Sequence, residues 1–256
     1  MLAPDALREL VEHSLTEREP FADLGGLADV ISYAVAGGGK RVRPVLCLAT
    51  AEAAGGSPEA ALPSAVALEL VHTFSLVHDD LPSMDDDVER RGRPTAHVAY
   101  GEATALLAGD ALLAEAFRLV LADGKVEPAL ELAEATLGMI GGQHLDVTGG
   151  AIDLAALHRL KTGRLFAAAV GLGLWAAEVP PTAQAPWRAF GEELGLLFQI
   201  VDDVLDGDGY AARLGHDSAR ALAGEAADRA SGRLDAIDAD TSVLRVLVDD
   251  LAVRTS

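Results

Sequence analysis

Two acidic stretches carry carboxylates at a spacing that suits divalent cations. In the first, Val71-His-Thr-Phe-Ser-Leu-Val-His-Asp-Asp-Leu-Pro-Ser-Met-Asp-Asp-Asp87, an apolar helical run ends in Asp79 and Asp80 and three further aspartates follow. On an unbroken helix Asp79 and Asp85 would stand about 120° apart. Pro82 lacks the amide hydrogen of a helix interior, so the helix must stop there, and the two carboxylates converge only if the chain loops between them. The second stretch is Phe198-Gln-Ile-Val-Asp-Asp-Val-Leu-Asp206. Its Gln199, Asp202, Asp203 and Asp206 fall at i, i+3, i+4 and i+7, which predicts one polar stripe facing a cavity. Like charges this close repel unless a cation joins them. Mg²⁺ fits best, because it binds through one or two carboxylates and completes its shell with water and phosphate oxygens. The predicted substrate is therefore a diphosphate held through metal, which also makes it a better leaving group.

Such a substrate needs fixed positive charge nearby. The chain has only three lysines, Lys40, Lys125 and Lys161, and its 40 acidic against 20 basic residues give a formal charge of −20. That balance repels nucleic acid and anionic lipid over most of the surface. Positive charge is concentrated in Gly37-Gly-Gly-Lys-Arg-Val-Arg-Pro44, where glycines precede a predicted helix start. Arg90, Arg91 and Arg93 follow the first acidic stretch, and Lys161-Thr162 precedes an apolar helix. Arginine forks match diphosphate oxygens. His72 lies two turns before Asp79, near the same face, as a further donor.

The elements that must position these residues are helical. Leu, Ala and Glu recur with helical period throughout, and Gly and Pro breakers divide the chain into roughly ten segments. Ser57-Pro58 forms a helix start, with Ser57 as the cap. No long linker or repeat appears, which predicts one all-α domain over 1–256, a bundle of helices around a central cavity with a mainly aliphatic core. Charged residues interrupt the apolar stretches, and no basic leader precedes an apolar segment, so a soluble, cytoplasmic protein without stable membrane insertion is expected. Cys47, the single cysteine, sits in an apolar run as a small buried hydrophobe.

Together these motifs resemble the polyprenyl synthetase family of trans-isoprenyl diphosphate synthases, most closely its bacterial farnesyl diphosphate synthase members, from Gly37 to Asp206. The resemblance implies the isoprenoid synthase fold, a homodimer and about three Mg²⁺ ions per active site. It assigns Gly39, Lys40, Arg43, His72 and Arg91 to isopentenyl diphosphate. Arg90, Lys161 and, through metal, Asp202 go to an allylic diphosphate, dimethylallyl or geranyl. Gln143, Thr162 and Gln199 are expected to line the cavity. Asp79, Asp80, Asp85, Asp202, Asp203 and Asp206 form the expected metal set, of which Asp79, Asp85 and Asp202 count as catalytic together with Arg90 and Lys161. Phe74, about 7.5 Å deeper along the helix than Asp79, is the expected floor that limits the product to farnesyl diphosphate.

The chain departs from the family after Asp206, where a Gly-Lys turn and a Lys-x-Thr-Tyr-Pro segment are usual. Here Gly207-Asp-Gly-Tyr-Ala-Ala-Arg-Leu-Gly-His-Asp-Ser-Ala-Arg220 contains no lysine. Arg213 or Arg220 is the expected substitute. Two other readings remain at this stage. One is a non-catalytic partner subunit, and the other a class I terpene cyclase, which ionises a prenyl diphosphate but needs no Lys40/Arg43/His72 site.

Overall fold

The computed structural model describes residues 1–17, 24–149 and 153–254. It is all-α apart from one two-residue antiparallel ribbon. The helices are α1 (Pro4–Thr16), α2 (Leu27–Val35), α3 (Val42–Ala53) and α4 (Pro58–Asp79). Strands β1 (Glu89–Arg90) and β2 (Arg93–Pro94) follow, then α5 (Ala96–Tyr100), α6 (Glu102–Val120), α7 (Glu127–Thr148) and α8 (Leu154–His158). A π-helical turn, Arg159–Gly163, leads into α9 (Arg164–Ala176). After a short 3₁₀ turn come α10 (Ala185–Asp206), α11 (Gly209–Leu214), α12 (His216–Asp235) and α13 (Ser242–Val253). The count exceeds the expected ten because α5, α8 and α11 are single-turn or two-turn pieces that periodicity cannot register.

At the centre stands α4, packed on α3, α6 and α9. Ser57 caps it as expected, its hydroxyl accepting from the Ala60 amide at 3.2 Å. By length and composition α4 is apolar enough to cross a membrane, yet Val66, Leu68, Leu70 and Val71 are buried in the core. Cys47 is wholly buried, and burial pushes its thiol far up from the ordinary value.

Close helix contacts put the site residues in reach of one another. At Gly142 a Cβ would lie 2.5 Å from the Lys161 backbone nitrogen, so only glycine lets α7 approach the π-helical turn. That contact sets Gln143 of α7 beside Lys161 and Thr162. The π turn itself widens the helix by one residue at this place, a distortion often found at functional sites.

Candidate active site

The helices enclose a cavity of about 930 Å³. Asp79, at the last turn of α4, and Asp202, on α10, both line it and are half-buried. Burial is the main cause that lifts each carboxyl to about 6, with Lys161 opposing it at Asp79 and Arg43 opposing it at Asp202. The loop expected after Asp80 exists: the Asp85 amide donates to the Asp79 carbonyl at 2.9 Å. Asp85 itself is exposed and does not line the cavity, but its charge contributes to the rise at Asp79.

Three of the expected metal ligands stand elsewhere. Asp80 is buried and accepts from Arg90 Nε at 2.9 Å and Nη2 at 2.6 Å. Its carboxylate is occupied in orienting that arginine. Asp203 is buried on the far side of α10, where it accepts from Gln199 Nε2 at 2.7 Å and the Tyr210 amide at 2.8 Å, with His158 Nδ1 at 3.7 Å. Asp206 is exposed, outside the cavity lining. The single cavity-facing stripe expected for Gln199, Asp202, Asp203 and Asp206 is thus split. Consecutive helical residues point about 100° apart, so Asp202 faces in and Asp203, together with Gln199, faces the α11 side.

The basic residues gather as expected. Gly39, Lys40, Arg43, His72, Arg90, Arg91, Gln143, Lys161 and Thr162 all line the cavity. Lys40 is exposed at the rim. Gly39 has φ 144°, and a Cβ there would lie 2.7 Å from Arg91 Nη1, so glycine is needed for this close approach. Arg91 donates to the Gly38 carbonyl. The Arg43 guanidinium stacks on the Phe166 ring at 4.7 Å and near the Phe198 ring at 5.5 Å, and its Nε is buried without a hydrogen-bond partner. Burial and the surrounding Arg43, Arg91, Arg41 and Arg90 hold His72 well below its ordinary value, so it is neutral at pH 7. Lys161 pairs with Asp146 at 2.5 Å. Both polar atoms of the Gln143 amide are buried without a partner.

Sequence reasoning missed Glu69, Asp146 and Arg254, and it counted Arg41 with the basic stretch without its partners. Arg41, between Lys40 and Arg43, also lines the cavity, but protein groups hold its guanidinium, and its backbone is left-handed at φ 48°. It donates to Glu69 Oε1 at 2.5 Å, to Glu12 Oε1 at 2.8 Å and to the Val35 carbonyl at 2.8 Å. Glu69, buried on α4, anchors the basic loop. Asp146 holds Lys161, and Arg254 joins the cavity lining near Asp202. None has a spacing signature, because each depends on a long-range meeting of elements. Phe74 is 7% exposed, lines the cavity as expected and meets the His78 ring edge-on at 5.1 Å.

Among the described residues no three His, Cys, Asp or Glu side chains form a metal cluster. This donor set still fits Mg²⁺ bound together with diphosphate, which needs only one or two protein carboxylates. Asp79 and Asp202 supply hard oxygen donors to the same cavity, and the unpartnered Gln143 amide and Arg43 Nε leave polar groups unspent.

Comparison with known proteins points the same way. Residues 26–222 match the polyprenyl synthetase family model. A geranylgeranyl diphosphate synthase of Cyanophora paradoxa is 44% identical over 214 residues, covering 78% of this chain and 71% of that protein. The farnesyl diphosphate synthase of Geobacillus stearothermophilus is 40% identical over 204 residues, covering 74% and 69%. The crystal structure of a Thermotoga maritima geranyltranstransferase superposes with a TM-score of 0.87 at 30% identity, covering 98% of both chains. Shared motifs, shared fold and the enclosed aspartate-lined cavity place this chain in the polyprenyl synthetase family, among the short-chain trans-prenyltransferases.

Proposed function

We propose that the chain condenses isopentenyl diphosphate with dimethylallyl or geranyl diphosphate, releasing diphosphate and ending at farnesyl diphosphate. One observation carries this reading: a single cavity holds two half-buried aspartates, a group of cations and an apolar depth lined by Phe74, Met139 and Ile140. Bound Mg²⁺, held by Asp79 with Asp85 nearby and by Asp202, would neutralise the allylic diphosphate and favour its departure. Lys161, kept in place by Asp146, and Arg90, kept in place by Asp80, meet the charge that develops there. Lys40, Arg43 and Arg91, with neutral His72, hold isopentenyl diphosphate so that its double bond faces the allylic carbon. The new carbon–carbon bond forms there, and the proton that must leave goes to the released diphosphate. No side-chain base is required.

Product length follows from the bulk of Phe74 on the wall of α4, one to two turns below Asp79. The chain is assigned to the cytoplasm and to a homodimer. Support for the dimer comes from exposed apolar side chains on two adjacent helices, Leu106 and Leu107 on α6 and Leu130 and Leu137 on α7.

A terpene cyclase would ionise the same allylic diphosphate without using the Lys40/Arg43 group. Replacing Lys40 or Arg43 with Ala is therefore expected to raise the KM for isopentenyl diphosphate by about tenfold or more, given the strength of charge-assisted hydrogen bonds. Allylic ionisation without any dependence on isopentenyl diphosphate would favour the cyclase.

A further inference from the structure

Of the three arginines after the first acidic stretch, Arg93 does not line the substrate cavity. It belongs to a hairpin in which Arg90 faces Arg93 and Glu89 faces Pro94, with Arg91 and Gly92 as the two-residue turn. Both turn residues have positive φ, 54° and 74°. Such a turn favours Asn, Asp or Gly at its first position, so Arg91 is held there against a local preference. A residue in that conformation persists only where its surroundings fix it. Packing on the central helix does not do so, because a second cavity of about 70 Å³ lies between α2, α4 and the hairpin, lined among others by Tyr33, Thr73, Leu76, Arg91 and Arg93.

Tyr33, in the last turn of α2, supplies that hold. Its hydroxyl donates to the Pro94 carbonyl at 2.7 Å, and the Arg93 guanidinium lies 4.1 Å over its ring. Tyr100 of α5 meets the same ring edge-on at 5.2 Å. Tyr33 itself does not line the substrate cavity. At the other end of the hairpin Arg91 donates to the carbonyl of Gly38, five residues after Tyr33. Helix α2 and the glycine loop that follows it thus hold both the base and the tip of the hairpin. We infer that Tyr33, with Arg93 stacked on it, is a positioning residue that acts through Arg91 on isopentenyl diphosphate. This rests on the function proposed above. Arg90, in the same hairpin, has a separate anchor in Asp80. Loss of Tyr33 therefore loosens the isopentenyl side of the site and spares the allylic side.

The test compares Tyr33→Phe, which keeps the ring and its stack with Arg93 but removes the hydroxyl, with Tyr33→Leu, which removes both. Tyr33→Phe should raise the KM for isopentenyl diphosphate about fivefold, the weight of one neutral hydrogen bond. Tyr33→Leu should raise it about tenfold or more, since the cation–π contact is also lost. The KM for the allylic diphosphate should stay within about twofold of the parent in both. Because Tyr33 acts through Arg91, Tyr33→Phe should add no further rise in an Arg91→Gln background, a coupling that a general loss of stability does not produce. Calorimetric titration with isopentenyl diphosphate supplies a readout independent of turnover, with binding weakened by the same factors. Unchanged affinity in both variants, an equal rise in both KM values, or full additivity with Arg91→Gln overturns the assignment. If the parent binds isopentenyl diphosphate without elongating any allylic diphosphate, and Tyr33→Phe still weakens that binding, the proposed reaction fails and the role of Tyr33 stands. A parent that binds no isopentenyl diphosphate overturns both.

Discussion

Arg90 donates to the Asp80 carboxylate from Nε at 2.9 Å and from Nη2 at 2.6 Å. Two adjacent aspartates at the end of α4 therefore do different work. Asp79 enters the cavity, and Asp80, 4% exposed, fixes an arginine that lines it.

This split predicts two distinct phenotypes. Asp79→Asn should fold normally and lose activity by about a hundredfold or more, the usual scale for removing one electrostatic stabiliser. Asp80→Asn should lower stability by about 2 kcal/mol through the lost charged hydrogen bonds and raise the allylic KM, since Arg90 is no longer held. Thermal unfolding measured beside steady-state kinetics separates the two. Equal effects of both substitutions on stability would contradict the split.

Asp79 and Asp202 predict an unusual pH dependence for the metal-free protein. Each carboxyl stands at about 6 in the folded chain against an ordinary value of 3.8, so the folded state binds more protons than the unfolded state between those values. Stability from each is fully present below the unfolded value and is lost as pH rises through about 6. Without Mg²⁺, Asp202→Asn should therefore be more stable than the parent at pH 8, by on the order of 1–3 kcal/mol, and the advantage should shrink toward pH 4. With Mg²⁺ and pyrophosphate present the order should reverse, because the charged carboxylate is then needed. Denaturant titrations across pH, with and without the ligands, give the comparison.

Arg41 and Glu69 predict that the basic loop depends on a buried ion pair in the cavity wall. Glu69→Ala leaves Arg41 buried without that partner and should cost about 3–5 kcal/mol. It should also raise the KM for isopentenyl diphosphate, as Lys40 and Arg43 flank the displaced residue. Arg41→Lys should restore less than a like-for-like charge would suggest, because one ammonium cannot replace donors that now reach Glu12, Glu69 and the Val35 carbonyl.

Much of this was legible before the structure. The cap at Ser57, the break at Pro82 and the loop joining Asp79 to Asp85 follow from residue chemistry within a few positions, and all are found. The gathering of Lys40, Arg43, His72 and Arg91 followed from the family motif. Local spacing failed where two faces of one helix had to be told apart. The i, i+3, i+4, i+7 pattern described a stripe on α10, but the stripe is wide enough for Asp202 to face the cavity while Asp203 is bound by Gln199 and Tyr210. Arg254, Asp146, Glu12 and Glu69 carry no local mark at all, since their roles exist only once distant helices have packed.

Phe74 predicts the length of the product. Replacing it with Ala removes the largest side chain on this wall of α4 and should shift the product from farnesyl to longer diphosphates. Mass spectrometry of the extracted products decides this. Products no longer than those of the parent would show that another part of the wall sets the limit.

The central claim is elongation itself. Purified protein incubated with Mg²⁺, isopentenyl diphosphate and, in separate reactions, dimethylallyl or geranyl diphosphate should yield farnesyl diphosphate, identified by mass spectrometry, and should yield none when a chelator removes the metal. No elongated product from either allylic substrate would contradict the account.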